Sequence, residues 1–210
     1  MNCSGECSVG PGECQGGGDV TSRVVFLAHA STPATAAAAF PADDPLEPRG
    51  RAAAAAARGL LPRADHLLSA PDRACRETCT ALGLDARPEA GLRGWELGGW
   101  SGRTLADAAA ADPAGVQAWV TDPAAAPHGG EPLTALLARV GAWLADPPAG
   151  RVLVVCGPAV VRAAVVAALG APPTAFWRID VAPLSVTDLR GGPPRWTVRA
   201  TAAPVRGPAG

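Results

Sequence analysis

Residues 23–32 read Arg-Val-Val-Phe-Leu-Ala-His-Ala-Ser-Thr. An apolar, β-branched run without alternation suits a strand buried on both faces, and this one carries His29 to its carboxyl end. A second such run, Arg-Val-Leu-Val-Val at 151–155, ends at Cys156-Gly157-Pro158 and leads into an apolar helix over 159–169. Between them the pattern predicts an alanine-rich helix over 50–61 and a strand over 65–68. A helix over 73–82 follows the breakers Ser69 and Pro71 and is stopped by Gly83. Short helices are expected at 105–111 and 116–120, a turn at 127–130, and a helix over 133–144, where apolar residues recur at helical spacing. Short strands near 179–181, 185–189 and 196–199 close the pattern. Strands alternating with helices imply an α/β fold, specifically a three-layer α/β/α sandwich. Ligands in such sheets sit beyond the carboxyl ends of the strands, where His29, Ser69 and Gly157 fall.

The chain has 210 residues, 48% hydrophobic and 18% charged, with a net charge of -1. That length supports one medium domain, expected at 21–200, between a Cys/Gly-rich tail at 1–20 and a flexible segment at 201–210. Eighteen basic residues, all arginine, are balanced by nineteen acids. No basic surface stands out for a phosphate backbone, which argues against nucleic acid as a partner. The most apolar stretch, Ala159 to Ala171, is interrupted by Arg162 and too short to span a bilayer. The first residues lack the charged start and apolar run of a secretory signal, so the expected location is cytoplasmic. Cys3, Cys7 and Cys14 sit in the tail, and Cys75, Cys79 and Cys156 are dispersed, all read as reduced thiols. A closed zinc site needs four ligands and the tail offers no histidine, so neither metal nor cofactor is expected.

Several landmarks occur together: Phe-Leu-Ala-His-Ala-Ser-Thr at 26–32, Gly50 opening a helix, Ser69-x-Pro71 leading to Arg76-Glu77-Thr78, Gly98-Gly99-Trp100-Ser101-Gly102, Gly129-Gly130-Glu131, and 152–155 before 159–163. In order and spacing they resemble the histidine phosphatase superfamily, the phosphoglycerate-mutase-like fold, over about residues 23–190. The stretch from Phe176-Trp177-Arg178 to Ser185-Val186-Thr187 looks like the branch that includes α-ribazole phosphatases. The resemblance implies that His29 attacks phosphorus while two arginines and a second histidine hold the phosphoryl oxygens and a carboxylic acid protonates the leaving group. It places the first arginine on Ala28, the second histidine on Gly157 and the acid on Gly94. The second arginine falls on Ala74 when counted from Pro71 or Thr78 and on Arg73 when counted from Ser69, and both registers stay open.

Two readings of function follow. The first is a domain of this superfamily that lacks most phosphate-binding and acid residues and serves as a binding module or an enzyme repurposed around His29. The second is a weak phosphomonoesterase, acting on a small phosphorylated metabolite through a phosphohistidine at His29. His29 and Glu131 are the catalytic candidates, the latter on a loop that in relatives folds over the pocket. Thr32, Arg73, His128, Trp100 and Cys156 are the binding candidates. The bland readings are favoured for three of these: His128 as a solvated turn residue, Trp100 as a loop anchor and Cys156 as an inert buried thiol. His66, inside a strand, reads as structural. A small-molecule ligand is the expected partner, with a protein partner or a homodimer as further options.

Overall fold

The computed structural model describes residues 22–205. Strand β1 (Ser22–Ala28) is followed by a one-turn helix α1 (Pro33–Ala37), then α2 (Pro48–Ala56), β2 (His66–Ser69) and α3 (Arg73–Leu82). Next come β3 (Arg87–Pro88), helices α4 (Leu105–Ala111), α5 (Pro113–Thr121) and α6 (Leu133–Ala145), then β4 (Arg151–Cys156) and α7 (Pro158–Leu169). The antiparallel pair β5 (Ser185–Gly192) and β6 (Arg195–Pro204) ends the described chain. The sheet order is β3-β2-β4-β1-β5-β6. The first four strands run parallel, and β5 joins β1 antiparallel. The result is the expected α/β architecture with an antiparallel extension.

The centre of the sheet is where the sequence is most apolar. Val24, Phe26 and Leu27 of β1 and Val154 of β4 are all fully enclosed, as strands covered on both faces must be. Helix α3 lies against β2 and β4 with α2 packed on it, while α7 lies against β1 and pairs with α6. Leu133, Leu136, Val140 and Leu144 form the buried stripe of α6 at helical spacing. Helix α2 is held differently, since only Gly50 and Ala54 are buried. A Cβ on Gly50 would collide with the Ser31 carbonyl oxygen, so this glycine lets α2 approach the segment that follows His29.

Several boundaries differ from the sequence expectation: α2 covers Pro48–Ala56 instead of 50–61, α5 covers Pro113–Thr121 instead of 116–120, and the last two strands are longer than expected. No strand forms at 179–181. The residues after the turn of helix at Pro173–Arg178 instead lead to Leu184, whose N–H donates to the Ala28 carbonyl (3.1 Å) and ties off the end of β1. At the other end, residues 201–204 are not a tail but the end of β6, because Val186 and Ser185 pair with Ala203 and Pro204. The expected tail at 1–20 and its three cysteines lie outside the described residues. No described helix is long and apolar enough to cross a membrane.

One buried contact links the two halves of the site. The Ala30 N–H donates to Thr78 Oγ1 (3.0 Å), and the Thr78 hydroxyl donates to the Ala74 carbonyl (2.7 Å). Thr78 is fully buried, so Thr78→Val preserves shape but strands the Ala30 N–H. The expected loss is about 1–3 kcal/mol, the cost of an unsatisfied buried donor, measured by urea unfolding at neutral pH.

Candidate functional site

A cavity of about 560 Å³ opens beyond the carboxyl ends of β1, β2 and β4. His29 lines it from the end of β1 and Gly157 from the end of β4. Asp72, Ala74 and Cys75 line it from the start of α3. Helix phase thereby decides the register left open by spacing: Ala74 is buried against the cavity and Arg73 is turned away. Arg73 is exposed and its guanidinium bonds Glu77 one turn on (2.9 Å), so its expected binding role is not supported.

The His29 ring is held by its own backbone. Nδ1–H donates to the Ala30 carbonyl (2.9 Å), which leaves the Nε2 lone pair uncommitted. Burial lowers the pKa of this imidazole, against the raising influence of the Ala30 carbonyl and the Asp72 carboxylate. His29 is therefore a neutral acceptor, base or nucleophile at pH 7. A Cβ placed on Gly157 would stand 4.0 Å from His29 Cδ2 with no closer neighbour, so this side of the imidazole is open. Thr32 lines the cavity as expected and caps α1, with Oγ1 accepting from the Thr35 N–H (3.3 Å).

The carboxylates are not where the sequence suggests. Glu131 is absent from the cavity wall. It is buried and bonded by Arg139 through both oxygens (3.0 and 2.8 Å), and Arg93 reaches it at 3.2 Å. Arg139 also donates to the Gly91 and Arg93 carbonyls (2.9 and 3.0 Å). Glu131 thus anchors the 91–94 loop to α6, which rules out the free acid expected of it. The carboxylate beside His29 is instead Asp72, which accepts from the Gly94 N–H through both oxygens (3.1 and 2.9 Å). A Cβ on Gly94 would lie 2.6 Å from Asp72 Oδ1, so Asp72 fills the space where a side chain at 94 would begin. Asp43, Asp44 and Glu96 also face the cavity. Sequence reasoning missed Asp72, because nothing local ties it to the loop carrying Gly94, 22 residues on.

The remaining candidates form the frame. Cys156 is fully buried off the cavity, and burial raises its thiol pKa far above the ordinary value, which keeps it protonated. Cys75 does line the cavity, with a thiol likewise pushed up by burial. Trp100 is buried off the wall, stacked on Phe40 (5.3 Å) and edge-on to Trp119 (5.4 Å). His128 lies behind it, 5.3 Å from Trp100, with Nδ1 accepting from the Gly130 N–H (3.0 Å). His128 is neither solvated nor at the cavity, and it braces the turn instead. His66 is exposed at the start of β2, away from the site.

A histidine at the carboxyl end of a central parallel strand, opening into a cavity, stands where α/β folds bind their ligands. The sequence model of the histidine phosphatase superfamily (branch 1) matches residues 24–203, and the chain belongs to that superfamily. No curated protein sequence matches it. Among solved structures it is similar to a mycobacterial glucosyl-3-phosphoglycerate phosphatase in complex with VO3. Their identity is 29%, over 86% of this chain and 98% of that one, with a TM-score of 0.75. A structure called mycobacterial hydrolase 2 is 27% identical over 89% of this chain and 92% of its own, with a TM-score of 0.74. A putative α-ribazole-5'-P phosphatase from Escherichia coli K-12 shares the fold at 23% identity, over 90% of this chain and 99% of its own, with a TM-score of 0.79.

Two predictions follow from this geometry. Glu131→Gln breaks a buried ion pair whose arginine then lacks its counter-charge. Such losses cost about 3–5 kcal/mol, and urea unfolding will show the loss while circular dichroism shows an unchanged fold. The second concerns pH. Burial lowers the pKa of both His29 and His128 below the ordinary value of 6.5. As pH falls through 6.5 the unfolded chain gains protons that the folded chain refuses, so the stability present above that pH is lost on acidification. The slope is at most about 1.4 kcal/mol per pH unit per imidazole. Unfolding midpoints at pH 7.5 and 5.5 will show the fall, and His128→Asn, which keeps an acceptor for Gly130, will flatten it.

Proposed function

We propose that this domain keeps the histidine phosphatase scaffold but not efficient phosphoryl transfer, and that the cavity at His29 holds a small-molecule ligand in a cytoplasmic binding protein or repurposed enzyme. The observation that carries this reading is the charge of the wall. The positions to which the family resemblance assigns two arginines, a second histidine and an acid are Ala28, Ala74, Gly157 and Gly94, the last three on the cavity wall, and the wall carboxylate that acts on His29 is Asp72. Losing one preorganised stabiliser costs about 100- to 1000-fold in rate. Losing several that act as a unit removes at least ~10,000-fold even with strong non-additivity. A carboxylate about 6 Å from an incoming phosphate adds a repulsion of about 3 kcal/mol per unit of phosphate charge at an effective dielectric near 20.

The competing reading is a weak phosphomonoesterase: Nε2 of His29 attacks phosphorus, the P–O bond to the leaving group breaks as the P–N bond forms and the departing oxygen takes a proton from water, and a second water then cleaves the phosphohistidine to inorganic phosphate and neutral His29. The uncommitted Nε2 and the phosphatases among the structural neighbours favour it. The two readings separate in one assay. The purified protein, given p-nitrophenyl phosphate and a panel of sugar and nucleoside phosphates, should show no hydrolysis that His29→Ala abolishes, and calorimetry should show no tight capture of vanadate. His29-dependent turnover at ordinary enzyme rates of about 1 per second or more reverses the ranking.

A further inference from the structure

Four aromatic residues, Phe40, Trp95, Trp119 and Trp177, line the cavity. They hold one another in place: Trp95 stacks on Trp119 (5.4 Å), and Trp177 meets Trp119 edge-on (4.5 Å). Trp95 is locked further by Nε1–H donating to the Glu131 carbonyl (2.7 Å). The wall is thus a rigid apolar surface suited to a ligand with an apolar body.

The polar groups on that wall are unevenly answered. Asp43, Asp44 and Asp72 accept hydrogen bonds from backbone N–H groups, of Arg73, Ala42 and Gly94 respectively, and none of the three forms a salt bridge among the described residues. Of the two arginines on the wall, Arg93 is paired with Glu131, which leaves Arg162. Three buried side-chain nitrogens lack partners among the described residues: Nε of Arg162, which lies over the Phe176 ring (5.7 Å), Nε1 of Trp119, a residue only 7% exposed, and Nε2 of His128, off the cavity. Nε2 of His29 adds an acceptor.

We propose that the cavity takes a small organic amine, with its ammonium at the Asp43, Asp44 and Asp72 carboxylates and its apolar body on the tryptophan wall. This rests on the non-phosphatase reading and names the ligand class for the same cavity. An ammonium answers carboxylates that have no counter-charge, and aromatic faces attract cations where a phosphate would be repelled by them.

The test uses the full chain and three probes: phenylalaninol, phenylpropanol, which lacks only its amino group, and phenyl phosphate. Isothermal calorimetry should find phenylalaninol bound at least about tenfold more tightly than phenylpropanol, the value of one charge-assisted contact. Added salt should narrow the difference. Asp72→Asn, which retains an oxygen for the Gly94 N–H, should weaken phenylalaninol about tenfold and leave phenylpropanol unchanged. Equal binding of the two alcohols, indifference to Asp72→Asn in a variant that melts like the parent, or no saturable binding of phenylalaninol up to about 10 mM overturns the ligand class. If phenyl phosphate also fails to bind or turn over, the non-phosphatase reading survives that outcome. If phenyl phosphate binds more tightly than phenylalaninol, or is hydrolysed in a His29-dependent way, that reading falls together with the ligand class.

Discussion

The contact on which the site depends is the hydrogen bond from the Ala30 N–H to Thr78 Oγ1. It joins the segment leaving β1 to the middle of α3, so the end of the central strand and the first turn of that helix meet at a fixed distance. Everything brought to the cavity by α3 follows from it. Asp72, Ala74 and Cys75 face His29 because the helix is pinned in this rotation, and Arg73 and Arg76 are exposed for the same reason. A second tie, from Gly94 N–H to Asp72, then hangs the loop that carries Trp95 on the same helix end.

The frame behind the cavity is aromatic and ionic rather than aliphatic. Phe40, Trp100 and Trp119 pack as a small core apart from the main one, and His128 fills the gap behind Trp100. Gly98 adopts a positive φ of 45° where a Cβ would strike the His128 carbonyl, so the tryptophan loop and the 127–130 turn close on each other through glycine backbone. Glu131 and Arg139 fasten this assembly to α6. Charge and aromatic area are thus partly spent here on holding the walls together.

Much of this fold is legible in the sequence because its signals are local. The runs at 23–27 and 151–155 are too apolar for anything but central strands, and α3 and α4 have the predicted bounds because Gly83 and a Thr104 capping box mark an end and a start. The C-terminal boundary is not local. Residues 201–204 are ordinary in composition, and only pairing with Ser185 and Val186 makes them a strand. The site divides the same way. His29 and Thr32 reach the cavity because they follow a strand whose end is unmistakable. Glu131 misleads because its partners, Arg139 and Arg93, lie 8 and 38 residues away, and the 100° turn per helical residue separates Arg73 from Ala74 in a way no count of spacings resolves.

Orientation and charge are independently controlled around His29. The imidazole is oriented by the carbonyl of the next residue, a bond that needs no side chain elsewhere in the pocket. The histidine therefore keeps its rotamer and its free Nε2 whatever replaces the groups around it. The charge, by contrast, comes from side chains on other elements, Asp43, Asp44, Asp72, Arg93, Glu96 and Arg162, with Asp72 taking up the space beside Gly94. The same scaffold can thus present a neutral imidazole to a cation as stably as it would present one to a phosphate.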